Sequence, residues 1–322
     1  MTHGFLLGKF LPPHDGHVLL CEVAQARVDV LTILVCSLPE DPIPGALRTE
    51  WMRALFPRAR IIHHDAIVPQ APEDDPDFWR IWREIVKAAH PEPIDYIFAS
   101  EGYGAQLASE VGAIFHPVDP ERVMVPISGS AVRADPFGNW PFLPSPVRAH
   151  YARTISLHGP ESVGKSVLGA QLAKALGATL APEFGRTWCE AHGTDCTMDD
   201  LLAIAKTQQA MIAAAKPRSN GWVVTDTDAL MTAVWADMML GVRDPWFDRF
   251  DQTADLYLLL DIDLPFHNDG LRLYGGAEER RRFFDLCRDE LERRGVRWAL
   301  VSGTGDARLQ SALTAIRTTF GE

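Results

Sequence analysis

Residues 158–166 read HGPESVGKS, which matches G-x-x-x-x-G-K-[ST] at every specified position. The apolar run RTISLH leads into this stretch and a helical pattern leaves it, so the chain needs a strand, a tight loop and a helix here, in that order. Glycine lets such a loop curl until successive backbone N–H groups point inward, and the helix adds the positive end of its dipole. On this pattern Gly159, Glu161, Ser162, Val163 and Gly164 form a phosphate cradle, Lys165 reaches the β- and γ-phosphates, and Ser166 ligates Mg²⁺. The expected occupant is a nucleoside triphosphate, carried by a parallel α/β domain.

Strand-like and helical windows alternate on both sides of the loop. Before it, strands are expected at residues 4–10, 28–37, 60–63, 96–99 and 113–118, and helices at 17–26, 48–55, 78–89 and 104–110. From 153 onward the pattern restarts, with strands at 153–158, 222–226, 256–261 and 298–301, helices at 164–175, 199–214 and 278–294, and a terminal helix. Such alternation predicts a parallel sheet covered on both faces in each half. Between the halves, DPFGNWPFLPSPVR at 135–148 holds four prolines and is expected to carry neither a helix nor a central strand. The expected domains are residues 1–146 and 147–322, each of about the size that one hydrophobic core supports.

Composition narrows the function classes. A formal net charge of -12 excludes a broad electrostatic grip on a nucleic-acid backbone, so any phosphate should be small and locally cradled. With 47% hydrophobic and 23% charged residues, and no apolar run near the roughly 18 residues of a membrane span, no membrane association is expected. The five cysteines show neither C-x-x-C pairs nor a metal spacing with histidine, which fits a reduced, cytoplasmic protein. The opening MTHGFLLGKF lacks the pattern of a secretory signal and nothing is expected ahead of the first domain.

Ligands of open parallel sheets gather at the carboxyl ends of strands. Asp226 and Asp228 in VVTDTDA, and Glu183 in PEFGRTW, are the acids expected there. One aspartate can hold magnesium, with Asp226 and Ser166 the metal candidates, and Asp226 or Glu183 can orient or deprotonate an acceptor hydroxyl. Asp228 fits a substrate contact and a helix N-cap equally well. The stretch HNDGLRLYGGAEERRR at 267–282 reads as a mobile lid whose arginines, Arg272 and Arg280 among them, stabilise charge on a transferring phosphoryl group. A solvated helix face is the alternative for part of the run Arg280, Arg281 and Arg282.

The first half has its own phosphate signature. In GKFLPPHDGH, residues 8–17, Pro12 and Pro13 are expected to hold the chain extended, Gly16 to let a ligand approach, and His17 to begin a helix whose free N–H groups favour anions. His14 and His17 then face a polyphosphate, and Lys9 adds a fixed charge. Later in the same half, ISGSAVR at 127–133 offers Ser128, Ser130 and Arg133 as a second anion site.

Taken together, GKFLPPHDGH and ISGSAVR resemble the H-x-G-H and I-S-x-[ST]-x-x-R signatures of the nucleotidyltransferase superfamily. With GPESVGKS after a proline-rich joint, and EFGRTW, TDTD and DGLR beyond it, the whole chain resembles the NadR family of bifunctional nicotinamide-nucleotide adenylyltransferases and ribosylnicotinamide kinases. The resemblance implies a Rossmann-like nucleotidyltransferase domain followed by a P-loop kinase domain, using ATP twice with Mg²⁺. The second domain would phosphorylate nicotinamide riboside to the mononucleotide (NMN), and the first would adenylylate NMN to NAD. It implies further that Gly8, Lys9, His14, Gly16 and His17 contact ATP, with His17 the main transition-state stabiliser, while Ser128, Ser130 and Arg133 hold its β- and γ-phosphates. Trp79 and Trp82 in DFWRIWRE resemble an aromatic pair near the family's nicotinamide site, although two tryptophans at helical spacing also suit core packing. Arg186 in EFGRTW joins them as a substrate contact.

Two positions depart from the signature: Ser130 stands for a familiar threonine, and Gly129 replaces a common serine, which is expected to loosen the phosphate grip. Some members begin with a DNA-binding helix-turn-helix, and no room for one is expected here. The residues alone leave open another acceptor for the same two chemistries, a nucleotide-sensing module without turnover, and homo-oligomerisation. The full set Lys9, His14, His17, Lys165 and Ser166 favours turnover, because a sensor has no need of transition-state donors.

Overall fold

Short β-branched and leucine-rich runs set the strands, and their alternation sets which helices cover which face. A computed structural model describes residues 1–321 and divides into two units, Met1–Arg148 and the remainder from Ala149. In the first, β1 (His3–Gly8), β2 (Val30–Cys36), β3 (Arg60–His64), β4 (Tyr96–Ala99) and β5 (Ile114–Pro117) form a parallel sheet ordered β3-β2-β1-β4-β5. Register runs from His3 opposite Val30 to Gly8 opposite Val35, with Gly4 opposite Tyr96 on the other side.

Side chains alternate across these strands. Phe5, Leu34 and Ile97 pack with the helices Phe78–Ala89 and Tyr103–Val111. Leu6, Ile33 and Phe98 pack on the opposite face with Asp15–Arg27 and Gly45–Leu55. Strand order reverses between β1 and β4, which opens a crevice beyond their carboxyl ends.

The second unit has the same plan. β6 (Arg153–His158), β7 (Thr179–Ala181), β8 (Trp222–Thr225), β9 (Leu256–Leu260) and β10 (Trp298–Val301) are parallel in the order β10-β9-β6-β8-β7. Ile155, Leu157, Val224 and Leu258 face the helices Lys165–Leu176 and Gly305–Phe320. Tyr257 and Leu259 face Met198–Ala215, Ala229–Leu240 and Ala277–Arg294. No helix among the described residues is long and apolar enough to cross a membrane.

Several expectations change. The proline-rich stretch 135–148 is not devoid of helix: it contains a 3₁₀ turn at Trp140–Phe142 and starts the helix Ser145–Tyr151. Pro146 sits in the first turn, where a backbone N–H has no intrahelical partner to lose. Ala229–Leu240 is a further helix, without a polar face to give it a 3.6-residue signal because Leu230, Met231, Ala233 and Val234 are all buried. Nor does the chain run extended through Pro12: residues 11 and 12 form a bend with a cis Leu11–Pro12 peptide bond.

Candidate functional sites

A cleft of about 910 Å³ opens in the first unit beyond the carboxyl ends of β1 and β4, lined on one side by Gly8, Lys9, His14, Gly16 and His17. Ser128, Ser130 and Arg133 line it as well, and so do Trp79 and Trp82. The helix here starts at Asp15, two residues earlier than expected; His14 is its N-cap residue and His17 lies in the first turn. No side chain caps it, so its first N–H groups stay available to an anion.

The two imidazoles stack with ring centroids 3.8 Å apart, and Nδ1 of each has no hydrogen-bond partner among the described residues. Burial, with the Arg122 charge, lowers the His14 pKa to about 4. Burial, then His14 and Arg122, hold His17 well below its ordinary value. Both rings are therefore neutral at neutral pH, each able to offer an N–H to a phosphate oxygen without losing a protein partner at Nδ1. Gly16 keeps them close, since a Cβ there would stand 3.1 Å from the His14 ring.

The two signatures touch. Ser128 caps the short helix Gly129–Ala134 by accepting from the Ala131 N–H at 3.2 Å, and its hydroxyl lies 3.0 Å from that of Ser130. Arg133 donates to the Leu11 carbonyl oxygen in the first signature. A Cβ on Gly129 would stand 2.7 Å from that same oxygen, so glycine here lets the two motifs approach closely. Lys9 is 3.7 Å from Asp41, which the fully buried Arg48 grips at 2.6 Å.

Trp82 belongs to the core as well as the cleft: it is 8% exposed and donates its indole N–H to the Pro69 carbonyl at 3.0 Å. Trp79, only half-buried, meets Phe78 edge-to-face at 5.0 Å.

In the second unit β6 ends at His158, the loop follows, and the helix begins at Lys165. Gly159 and Gly164 take φ values of 134° and 83°, which side chains disfavour. Lys165 turns back to donate to the Gly159 and Pro160 carbonyls at 2.8 and 2.7 Å, while Ser166 is exposed. The Val163 side chain is core, so its contribution to a cradle is its backbone.

Glu161 accepts from the Leu273 and Tyr274 N–H groups at 2.8 and 2.5 Å. Ser162 accepts from the His267 N–H at 2.7 Å and from Arg272 at 2.9 Å. The expected lid thus lies against the loop, and Arg186 pairs with its Asp269 at 2.7 Å. The cavity left between is about 190 Å³, lined by Glu161, Ser162, Gly164, Lys165, Ser166, Glu183, Arg186 and Arg272.

Burial pushes the Glu183 carboxyl upward against the pull of Lys165. Asp226 is 4% exposed and its Oδ1 has no partner among the described residues.

Two expected site residues do other work. Asp228 caps Ala229–Leu240, accepting from Leu230 and Met231 N–H groups through Oδ1, and its Oδ2 takes the Tyr257 hydroxyl at 2.5 Å. With both oxygens engaged at 2% exposure, it is a structural carboxylate and not a substrate contact. Arg280 does not line the cavity; it donates to the Leu264 carbonyl at 2.8 Å and lies over the Phe266 ring.

Other residues emerge only in three dimensions. Arg122, in a loop without a motif, lines the first cleft at a φ of 51°. Arg308, 4% exposed, donates to the Val163 carbonyl of the phosphate loop and to the Gly303 carbonyl at 2.7 Å. Trp235 and Thr232 line the second cavity from the apolar helix. For the last two, an apolar run gave no reason to look.

The fold and its sites define a class: a two-unit α/β protein with a nucleotide-binding phosphate loop in the second unit. A family profile described as an AAA domain matches residues 154–308. The trifunctional NAD biosynthesis/regulator protein NadR of Escherichia coli (strain K12) is 29% identical over 346 residues, which cover 100% of this chain and 84% of that protein. The protein of the same description from Salmonella typhimurium (strain LT2) is 28% identical over 343 residues, with 99% of this chain and 83% of the relative covered. Two solved structures, a NadR protein in complex with NR and one in complex with NAD and AMP-PNP, give TM-scores of 0.79 and 0.77. Each is 20% identical and covers 100% of this chain and 96% of the other. The chain is thus similar to the NadR proteins along essentially all of its residues.

Proposed function

We propose that this chain makes NAD by two ATP-dependent transfers, each in its own unit. The second unit, a P-loop kinase, phosphorylates nicotinamide riboside to NMN. The first, a Rossmann-like nucleotidyltransferase, joins NMN to the adenylyl group of ATP and releases pyrophosphate. The observation that carries this reading is the convergence of GKFLPPHDGH and ISGSAVR on one cleft, in a chain that also holds a phosphate loop at a strand-to-helix junction.

In the kinase step a 5′-hydroxyl attacks the γ-phosphorus and ADP leaves. Lys165 moves from the loop carbonyls to the β- and γ-phosphates, and Arg272 stabilises the charge on the transferred group. Glu183, its pKa raised by burial, is the better placed base for the hydroxyl proton. The exposed Ser166 hydroxyl and the unpartnered Asp226 Oδ1 are hard oxygen donors that suit Mg²⁺. When bound there, the ion would neutralise phosphate charge.

In the adenylylation step the NMN 5′-phosphate attacks the α-phosphorus in line. His14 and His17 donate hydrogen bonds to oxygens whose charge grows in the transition state, with Lys9 adding positive potential. Ser128, Ser130 and Arg133 hold the β- and γ-phosphates that leave as pyrophosphate. No covalent enzyme intermediate is needed. Trp79 offers its ring face to the cationic pyridinium.

The test is one incubation with nicotinamide riboside, ATP and magnesium in which mononucleotide and dinucleotide are followed together, beside incubations with pantetheine and pyrimidine nucleosides. NMN appearing first and NAD second supports the reading. Faster turnover of either alternative acceptor would replace it.

A further inference from the structure

The amino end of the first sheet, opposite the phosphate cleft, gathers a set of side chains that neither reaction uses. His3 opens β1, whereas the cleft lies beyond Gly8 at the other end of that strand. His90 follows the last residue of the helix Phe78–Ala89, and Glu92 lies just past it. His3 Nδ1 is 3.1 Å from His90 Nε2, and a Glu92 carboxylate oxygen is 3.8 Å from the same nitrogen. One donor atom from each of the three residues falls within 4.8 Å of the others.

The arrangement around His90 is that of a ligand held from behind. The ring is 1% exposed, and its Nδ1 lies 2.8 Å from the hydroxyl of Thr32, which is itself fully buried on β2. With Nδ1–H donated to that hydroxyl, Nε2 turns its lone pair toward His3, the outer-sphere arrangement by which metal-bound histidines are oriented. In a tetrahedral zinc site with Zn–N bonds of about 2.0–2.1 Å, two nitrogen ligands lie roughly 3.3 Å apart. The His3 and His90 nitrogens are already near that spacing.

We infer that His3, His90 and Glu92 form a zinc site, with His3 Nδ1, His90 Nε2 and one Glu92 oxygen as protein ligands and water in the fourth position. Arg60, now 2.9 and 3.0 Å from the two Glu92 oxygens, retains the other one. Two imidazoles and a carboxylate suit Zn²⁺ and not the Mg²⁺ that accompanies nucleotides. The ion ties the start of β1 to the end of the helix whose first turn brings Trp79 to the cleft, so it braces the cleft without touching a reactant.

The full chain, stripped with a chelator and dialysed against micromolar ZnCl₂ in excess MgCl₂, tests this. The expected result is one equivalent of zinc retained by the unaltered chain, a higher unfolding temperature than in the stripped form, and at least a tenfold loss of zinc affinity in His90→Ala. Because His90 is buried, His3→Gln and Glu92→Gln carry the same test on more exposed residues; each should lose zinc while keeping its circular dichroism. A His14→Ala/His17→Ala chain should keep the equivalent. Equal zinc in the unaltered chain and in folded His3→Gln and Glu92→Gln, or loss of zinc only with His14 and His17, would overturn the site.

Discussion

The two candidate phosphate sites are built alike at the level of the sheet and differ in what their polar groups are doing. In the first cleft the His14 and His17 Nδ1 atoms have no partner among the described residues, and about 910 Å³ lies open before them. At the second, Lys165 is hydrogen-bonded to two loop carbonyls, Ser162 and Glu161 hold the segment around 267–274, and about 190 Å³ remains. One site has its donors free in advance; the other satisfies its own and must exchange those bonds for a ligand's. Preorganised donors lower a barrier without reorganisation, whereas a closed loop excludes water and makes entry conditional on rearrangement.

The sharpest way to break this contrast is to remove the central group from each site. Lys165→Ala should reduce NMN formation by about 100-fold or more while NAD synthesis from supplied NMN is unchanged, and His17→Ala should do the reverse. Loss of both activities from either folded variant would mean that the sites are not independent. Next in size is the structural role of Asp228: Asp228→Asn should destabilise the second unit by about 1–3 kcal/mol through the Tyr257 bond and the helix cap, read as a lower denaturation midpoint. A large KM change without loss of stability would return Asp228 to the substrate.

Gly129→Ala places a Cβ 2.7 Å from the Leu11 oxygen and should cost about 1–3 kcal/mol in the first unit, with weaker ATP binding for adenylylation and no change in phosphorylation. Trp79→Ala should raise KM for NMN roughly fivefold with kcat nearly constant, the scale of one cation–π contact. A fall in kcat at constant KM would instead make Trp79 part of transition-state alignment.

Acid sensitivity compares the sites at smaller amplitude near neutrality. His14 titrates at about 4 in the folded chain against 6.5 for the free group, and His158 beside the phosphate loop at about 3. The unfolded state therefore binds more protons between these values and 6.5. The stability tied to the neutral rings is complete above pH 6.5 and is lost as pH falls through about 4 for His14 and about 3 for His158. An ATP analogue in the first cleft should raise the His14 value and shrink its share of this loss, which a pH series of melting curves with and without nucleotide measures.

Much of the strand and helix pattern was legible because β1, β2, β6 and β9 are apolar runs of the right length between turn residues. The helix Ala229–Leu240 was not, because it is apolar on every side and its period vanishes. Pro146 misled in the other direction, since a proline in a first turn starts helices as readily as prolines elsewhere end them. Among site residues, those in compact motifs such as Lys165 and His17 were visible from spacing. Arg122 and Arg308 were not, because each reaches its site from a segment remote in sequence.

By itself the sequence determined two alternating α/β halves and the local chemistry of three short motifs, because strand period, glycine freedom and helix-start anions are properties of neighbouring residues. Only the tertiary structure decided which polar groups are free. Asp226 keeps an oxygen with no partner among the described residues while Asp228, two positions on, has both oxygens engaged by Tyr257 and a helix end. Gly129 sits where a side chain would crowd the Leu11 carbonyl, a constraint from more than a hundred residues away. A carboxylate's role depends on which donors the packed chain brings within hydrogen-bond reach, and those donors come from residues far away in the sequence.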